Sequence, residues 1–134
     1  MHSLLRILQI VGFEAALAIW SWALLSPNPV PETVRKEIGL DWQFVLSKLL
    51  HASGYTFLTL LGGSLARTTR GRWIIIALIA AHGAASEIGQ ATMDLGRHGS
   101  IRDVLIDWAG IAIGAMLLMG WDRITTRRFE HRVG

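Results

Sequence analysis

The sequence contains no cysteine and only three prolines. Without cysteine there are no disulfides and no thiolate metal ligands, and nothing follows about redox compartment. The prolines all fall within Ser26-Pro27-Asn28-Pro29-Val30-Pro31. There they end any preceding helix, because proline lacks a backbone donor and clashes with the turn before it. Charged residues make up only 17% of the chain. No linker, second domain or low-complexity segment interrupts the chain, and its halves share no pattern that would mark a repeat of hairpins.

What the chain does have is hydrophobicity in blocks. Of its 134 residues 51% are hydrophobic, concentrated at about 4–25, 42–66, 73–93 and 101–121. A bilayer core needs about 20 apolar residues per helix. The expected fold is an all-α membrane protein, a single domain forming a four-transmembrane-helix bundle. A signal peptide is the rival reading of the first block. Glu14 inside the apolar stretch, and the lack of a small-x-small cleavage site, favour a retained helix. Glu32 to Asp41 is mixed in charge and could form a short surface helix. Arg67, Arg70 and Arg72 lie in a tight loop before the third block.

The isoelectric point of about 10.2 could suggest nucleic acid as a partner. That is rejected, because the arginines gather at segment ends, where they report topology. The N-terminus, the loop after block two and the tail hold Arg6, Arg67, Arg70, Arg72, Arg123, Arg127, Arg128 and Arg132. The other side holds Arg35, Lys36, Arg97 and Arg102, with Lys48 near the boundary. Positive-inside logic puts both termini in the cytoplasm of a multi-pass protein. Trp42, Trp73 and Trp121 read as interfacial anchors, and Arg127 and Arg128 as a tail on anionic lipid heads.

The chain is organised around Glu87 to Gly114. The uncharged runs on either side, Trp73–Ser86 and Trp108–Trp121, are fourteen residues each, or roughly 21 Å of helix. Neither spans alone, so spanning helices must carry carboxylates into the bilayer, where ionisable groups are costly and face the bundle interior. Counting from the cytoplasmic ends, His51, Glu87 and Asp107 come out at one level, roughly 21–23 Å along their helices. Glu14 sits somewhat deeper. Lys48 and Asp103 lie one turn further out, beside Arg97. Three helices are thus expected to converge on a polar chamber open to the outside. Small residues crowd the second half of block three, and Gly110 and Gly114 form a G-x-x-x-G face expected to meet them closely.

In this chamber Glu87, Asp103 and His51 are candidates for acid, base or metal-ligand work. Lys48 and Arg97 could hold a phosphate or carboxylate, with Gln90, Ser100, Asp107 and Tyr55 lining the same site. No nucleophile motif singles itself out, no metal site is assigned, and the cofactor stays unknown. The candidate partners are membrane lipids and an anionic amphiphile such as a lipid-linked cell-wall precursor or a lipoglycopeptide, with a homo-oligomer left open.

The segments S-K-L-L-H-A-S-G-Y (from Ser47), E-I-G-Q (from Glu87) and G-R-H-G-S-I-R-D-V-L-I-D-W-A-G-I-A-I-G (from Gly96) resemble the VanZ-like family of small bacterial integral membrane proteins, whose founding members are associated with teicoplanin resistance. The resemblance covers most of Lys48 to Gly114 and carries over Lys48, His51, Tyr55, Glu87, Gln90, Arg97, Ser100, Asp103, Gly110 and Gly114. It implies a bacterial inner-membrane location and an envelope role, and no mechanism. Ser47 stands where the family often has aspartate, and Asp107 where it often has asparagine.

Plainer readings stand beside these. Lys48, Arg97, Glu87, Asp103 and Asp107 could be interhelical ion pairs, and His51 a satisfied core histidine. Glu14 reads as structural, paired with a neighbour or protonated, and Tyr55 as packing or a hydrogen-bond donor. A scaffold that helps a partner assemble is the alternative function. Proton or ion transport is disfavoured, because no ionisable residue lies between Tyr55 and Arg67, Trp73 and Ala81, or Trp108 and Trp121.

Overall fold

The computed structural model describes residues 2–26, 33, 40–93 and 99–133. Among them are four long helices and no strand: α1 (His2–Leu25), α2 (Leu40–Leu65), α3 (Thr69–Thr92) and α4 (Ile101–Val133). Each contains an apolar span of 23 or 24 residues, at Ser3–Leu25, Trp42–Leu65, Thr69–Thr92 and Ile101–Ile124. At 1.5 Å per residue that is about 35 Å, enough to cross a hydrocarbon core of about 30 Å with some tilt. The outward faces carry large apolar side chains such as Leu8, Ile19, Trp22, Leu78 and Met116. Lipid, with no water to avoid, is the solvent such faces require. The chain is an all-α protein whose four helices suit a multi-pass membrane protein.

Two boundaries differ from the sequence reading. Helix α3 begins at Thr69, so Arg70 and Arg72 belong to its first turn and not to a loop. Thr68 is the reason: its extended backbone and its hydroxyl, which accepts from Gly71 N at 3.0 Å, make it an N-cap. Helix α4 continues to Val133, because charge alone does not end a helix and arginine and glutamate are good helix formers. The expected surface helix over Glu32–Asp41 lies for the most part outside the described residues.

Helix α2 packs most extensively on α4, α3 fills in against both, and α1 touches α2 and α3 but not α4. The G-x-x-x-G face meets α2, not the small-residue half of α3 as expected. A Cβ at Gly110 would run into the Ala52 carbonyl. One at Gly114 would sit 2.9 Å from Thr56 O and 2.8 Å from Thr59 Cβ. Thr56 Oγ1 lies 2.8 Å from Ala52 O and 2.9 Å from Gly110 O, sharing its proton between the two helices. Ala52, Thr56 and Thr59 form a small-residue ridge on α2 that suits close approach. The small residues of α3 serve elsewhere: a Cβ at Gly83 would stand 3.4 Å from Asp107 Oδ2 and from Tyr55 Cζ. At the far end of the bundle, Arg72 pairs with Asp122 and donates to Gly63 O at 3.3 Å.

Helix α1 docks through Trp20, whose ring lies where a Cβ at Gly54 would go. Glu14 is exposed on α1 and has no hydrogen-bond or ion-pair partner among the described residues. Of the two expectations for Glu14, pairing or protonation, no pairing is seen among the described residues, because Glu14 lies on an exposed side of α1.

Candidate functional site

At the end of the bundle where α2 and α4 begin and α3 finishes, three helices bring polar side chains together. Helix α2 contributes Lys48, His51 and Tyr55, successive positions of one face. His51 Nδ1 stands 2.8 Å from Asp107 Oδ1 of α4 and 4.0 Å from Glu87 Oε1 of α3. All three residues are buried, with Asp107 fully excluded from solvent. One ligand-capable atom from each lies within 4.8 Å of the others. One turn outward, Lys48 pairs with Asp103, and the Lys48 ammonium lies 4.8 Å from the centroid of the Phe44 ring.

The chain segment before α4 is tucked against α3. Gly99 abuts the Glu87 carbonyl, where a Cβ would not fit. That approach lets Ser100 N donate to Glu87 Oε2 at 2.8 Å. The Ser100 hydroxyl accepts from Arg102 N at 3.2 Å and caps α4. Glu87 Oε1, Asp107 Oδ2 and Gln90 Nε2 are buried without a hydrogen-bond partner among the described residues. Buried polar atoms of this kind are rare and costly. Among the described residues the site therefore holds three carboxylates, Glu87, Asp103 and Asp107, facing one ammonium and one imidazole. Arg97, the second expected cation, lies outside the described residues.

Tyr55 belongs to a second network one turn deeper. Its hydroxyl lies 3.1 Å from His82 Nδ1 and 3.4 Å from Ser86 Oγ. His82 Nε2 lies 2.9 Å from Ser21 Oγ on α1. Trp20 sets its edge against both His51 and Tyr55, with ring centroids 6.4 and 6.1 Å away. The sequence reading missed His82, Ser86, Ser21 and Trp20. A signal existed for two of them: His82, Ser86 and Gln90 are spaced i, i+4, i+8 and share a helix face. Nothing in α1 singled out Trp20 or Ser21. Below this network the core is Leu58, Ile76, Ile79, Ile111 and Ala115.

Comparison of the chain with protein-family models, with curated proteins and with solved structures finds no match.

Proposed function

We propose that this chain is a VanZ-like protein of the bacterial inner membrane, with both termini in the cytoplasm, whose polar chamber faces outward and binds or processes an anionic amphiphile of the cell envelope. The observation that carries the reading is the convergence of Lys48, His51, Glu87, Asp103 and Asp107 from three helices at one end of an otherwise apolar bundle. By the arginine bias that end is the outer one. A lipid-linked cell-wall precursor or a lipoglycopeptide presents a polar head just outside the hydrocarbon and a tail within it, which matches a chamber at this depth. Lys48 keeps donors for such a head: an ammonium has three protons, and its side chain remains 21% exposed beside Asp103. The resemblance adds the link to teicoplanin resistance.

The test is lipoglycopeptide susceptibility in a host lacking its own homologue, with membrane levels measured for each variant. Lys48→Ala, Arg97→Ala, Glu87→Ala and Asp103→Ala should reach the membrane and lose protection, while Glu14→Gln and Arg127→Ala keep most of it. Chamber variants that are present at normal levels and still protect would overturn the reading.

One observation favours a second reading, a membrane scaffold. Both Lys48–Asp103 and His51–Asp107 join α2 to α4, as interhelical fasteners would. On that reading, loss of function would track loss of folded protein in every variant. Transport of protons or ions gains little, because the polar network turns sideways to α1 while an apolar core lies beneath it.

A further inference from the structure

We infer that His51, Glu87 and Asp107 form a binding site for a divalent first-row transition cation, Zn2+ or Mn2+, buried between α2, α3 and α4. The sequence alone offered Glu87, Asp103 and His51 for acid, base or metal-ligand work and assigned no metal site; the inference stands on geometry, independent of the amphiphile reading.

Three observations meet. The first is the donor set: one imidazole and two carboxylates, with one donor atom from each within 4.8 Å of the others. Zinc–ligand bonds run about 2.0–2.2 Å, so two donors at the tetrahedral angle stand about 3.3–3.6 Å apart. His51 Nδ1 and Glu87 Oε1 stand 4.0 Å apart, and closing the cluster on one ion needs each donor to move inward by less than about 1 Å.

The second is a pair of buried oxygens, Glu87 Oε1 and Asp107 Oδ2, without a hydrogen-bond partner among the described residues. Their residues are 4% and 0% exposed, so bulk water does not satisfy them. Lys48, the nearest basic side chain on α2, is engaged by Asp103. A divalent cation cancels the two carboxylate charges and leaves a neutral site, which a low-dielectric interior favours. The imidazole selects against Mg2+ and Ca2+, which prefer all-oxygen shells, and the absence of sulfur selects against Cu+.

The third is support around the donors. Ser100 N holds Glu87 Oε2 at 2.8 Å, which leaves Oε1 free to ligate. Trp20 braces the His51 ring in a T-shaped contact. Outer contacts of this kind orient metal ligands. On binding, the proton between His51 Nδ1 and Asp107 Oδ1 is released, the imidazole keeps its other proton on Nε2, and Nδ1 and both oxygens of the Asp107 carboxylate turn to the ion.

The test uses the full-length, tag-free chain purified in detergent and stripped with chelator. Zn2+, Mn2+ or Mg2+ is added separately and excess is removed. Stoichiometric retention of Zn2+ or Mn2+, with a rise in Tm that Mg2+ does not give, is expected. Glu87→Gln and His51→Gln should each weaken retention by about tenfold or more, and Glu14→Gln should not. No retention and no Tm rise in the wild type would overturn the site, as would unchanged retention in both ligand variants. Should those variants fail to fold, X-ray absorption of the loaded wild type decides. A single imidazole with oxygen neighbours supports the site; no imidazole, or several, overturns it. Loss of antibiotic protection plays no part in this readout, so the metal site and the amphiphile reading fail separately.

Discussion

His51 Nδ1 on α2 and Asp107 Oδ1 on α4 stand 2.8 Å apart between the helices at one end of the bundle, and neither residue has appreciable contact with solvent. Removing one partner of such a pair strands the other, at a cost of about 3–5 kcal/mol, whereas removing both at once is far cheaper. In the presence of chelator, His51→Ala and Asp107→Ala should each lower Tm strongly. The double variant should lose clearly less than the sum. Asp107→Asn keeps an acceptor for the imidazole and should lie between Asp107→Ala and wild type. Additive losses in the cycle would mean that the two side chains are not energetically coupled.

The glycines of α4 make a second set of expectations. Gly110 and Gly114 lie against the backbone of α2 at Ala52 and Thr56, while a Cβ added at Gly120 would have nothing within 4 Å. Gly110→Leu and Gly114→Leu should therefore lower thermal stability in detergent by forcing α2 and α4 apart, because packing is what holds apolar helices together in lipid. Gly120→Leu should be nearly neutral. Equal melting curves for all three would contradict the α2–α4 contact.

Topology is open to direct labelling, since a chain without native cysteine accepts single cysteines cleanly. Gly99 is a poor position, because any Cβ there meets the Glu87 carbonyl. Ile101 at the start of α4 and Thr69 at the start of α3 are both exposed and uncharged, so the arginine balance is untouched. A cysteine at Ile101 should react with an impermeant maleimide on intact cells, and one at Thr69 only after lysis. The opposite pattern would invert the orientation.

Much of the site could be read from spacing alone. Helices that start from a common plane keep level, so counting residues from the arginine-rich ends brought His51, Glu87 and Asp107 to one height, and the structure brings their side chains within reach of one another. Lys48 and Asp103, one turn outward, meet for the same reason. What spacing does not fix is rotation about each helix axis. The small faces of α2 and α3 are equivalent partners for Gly110 and Gly114 until the helices are packed, and Ala52 and Thr56 on α2 take that place. The link from Tyr55 through His82 to Ser21 also depends on rotation, and on where α1 docks. The start of α3 was missed because Thr68 was not weighed as a cap against the arginines that follow it.

That link makes α1 the separable part of the bundle. Among the described residues it touches only α2 and α3, and its polar and aromatic anchors to them are Ser21 on His82 and Trp20 on Gly54, His51 and Tyr55. A leucine at Gly54 occupies the space of the Trp20 ring and must push it out. The ring is rigid and bulky, so α1 has to move with it, and the Ser21–His82 contact should break as well. Helices α2 and α4 meet through Ala52, Thr56 and Thr59, so their packing should survive. Hydrogen exchange in detergent reads this directly: Gly54→Leu should deprotect backbone amides in the second half of α1 while those of α4 stay protected. Gly12→Leu, with nothing within 4 Å of its Cβ position, should leave α1 protected and serves as the comparison. Unchanged exchange in α1 for Gly54→Leu would show that Trp20 does not hold this helix, and loss of protection throughout the chain would show that α1 is integral to the fold.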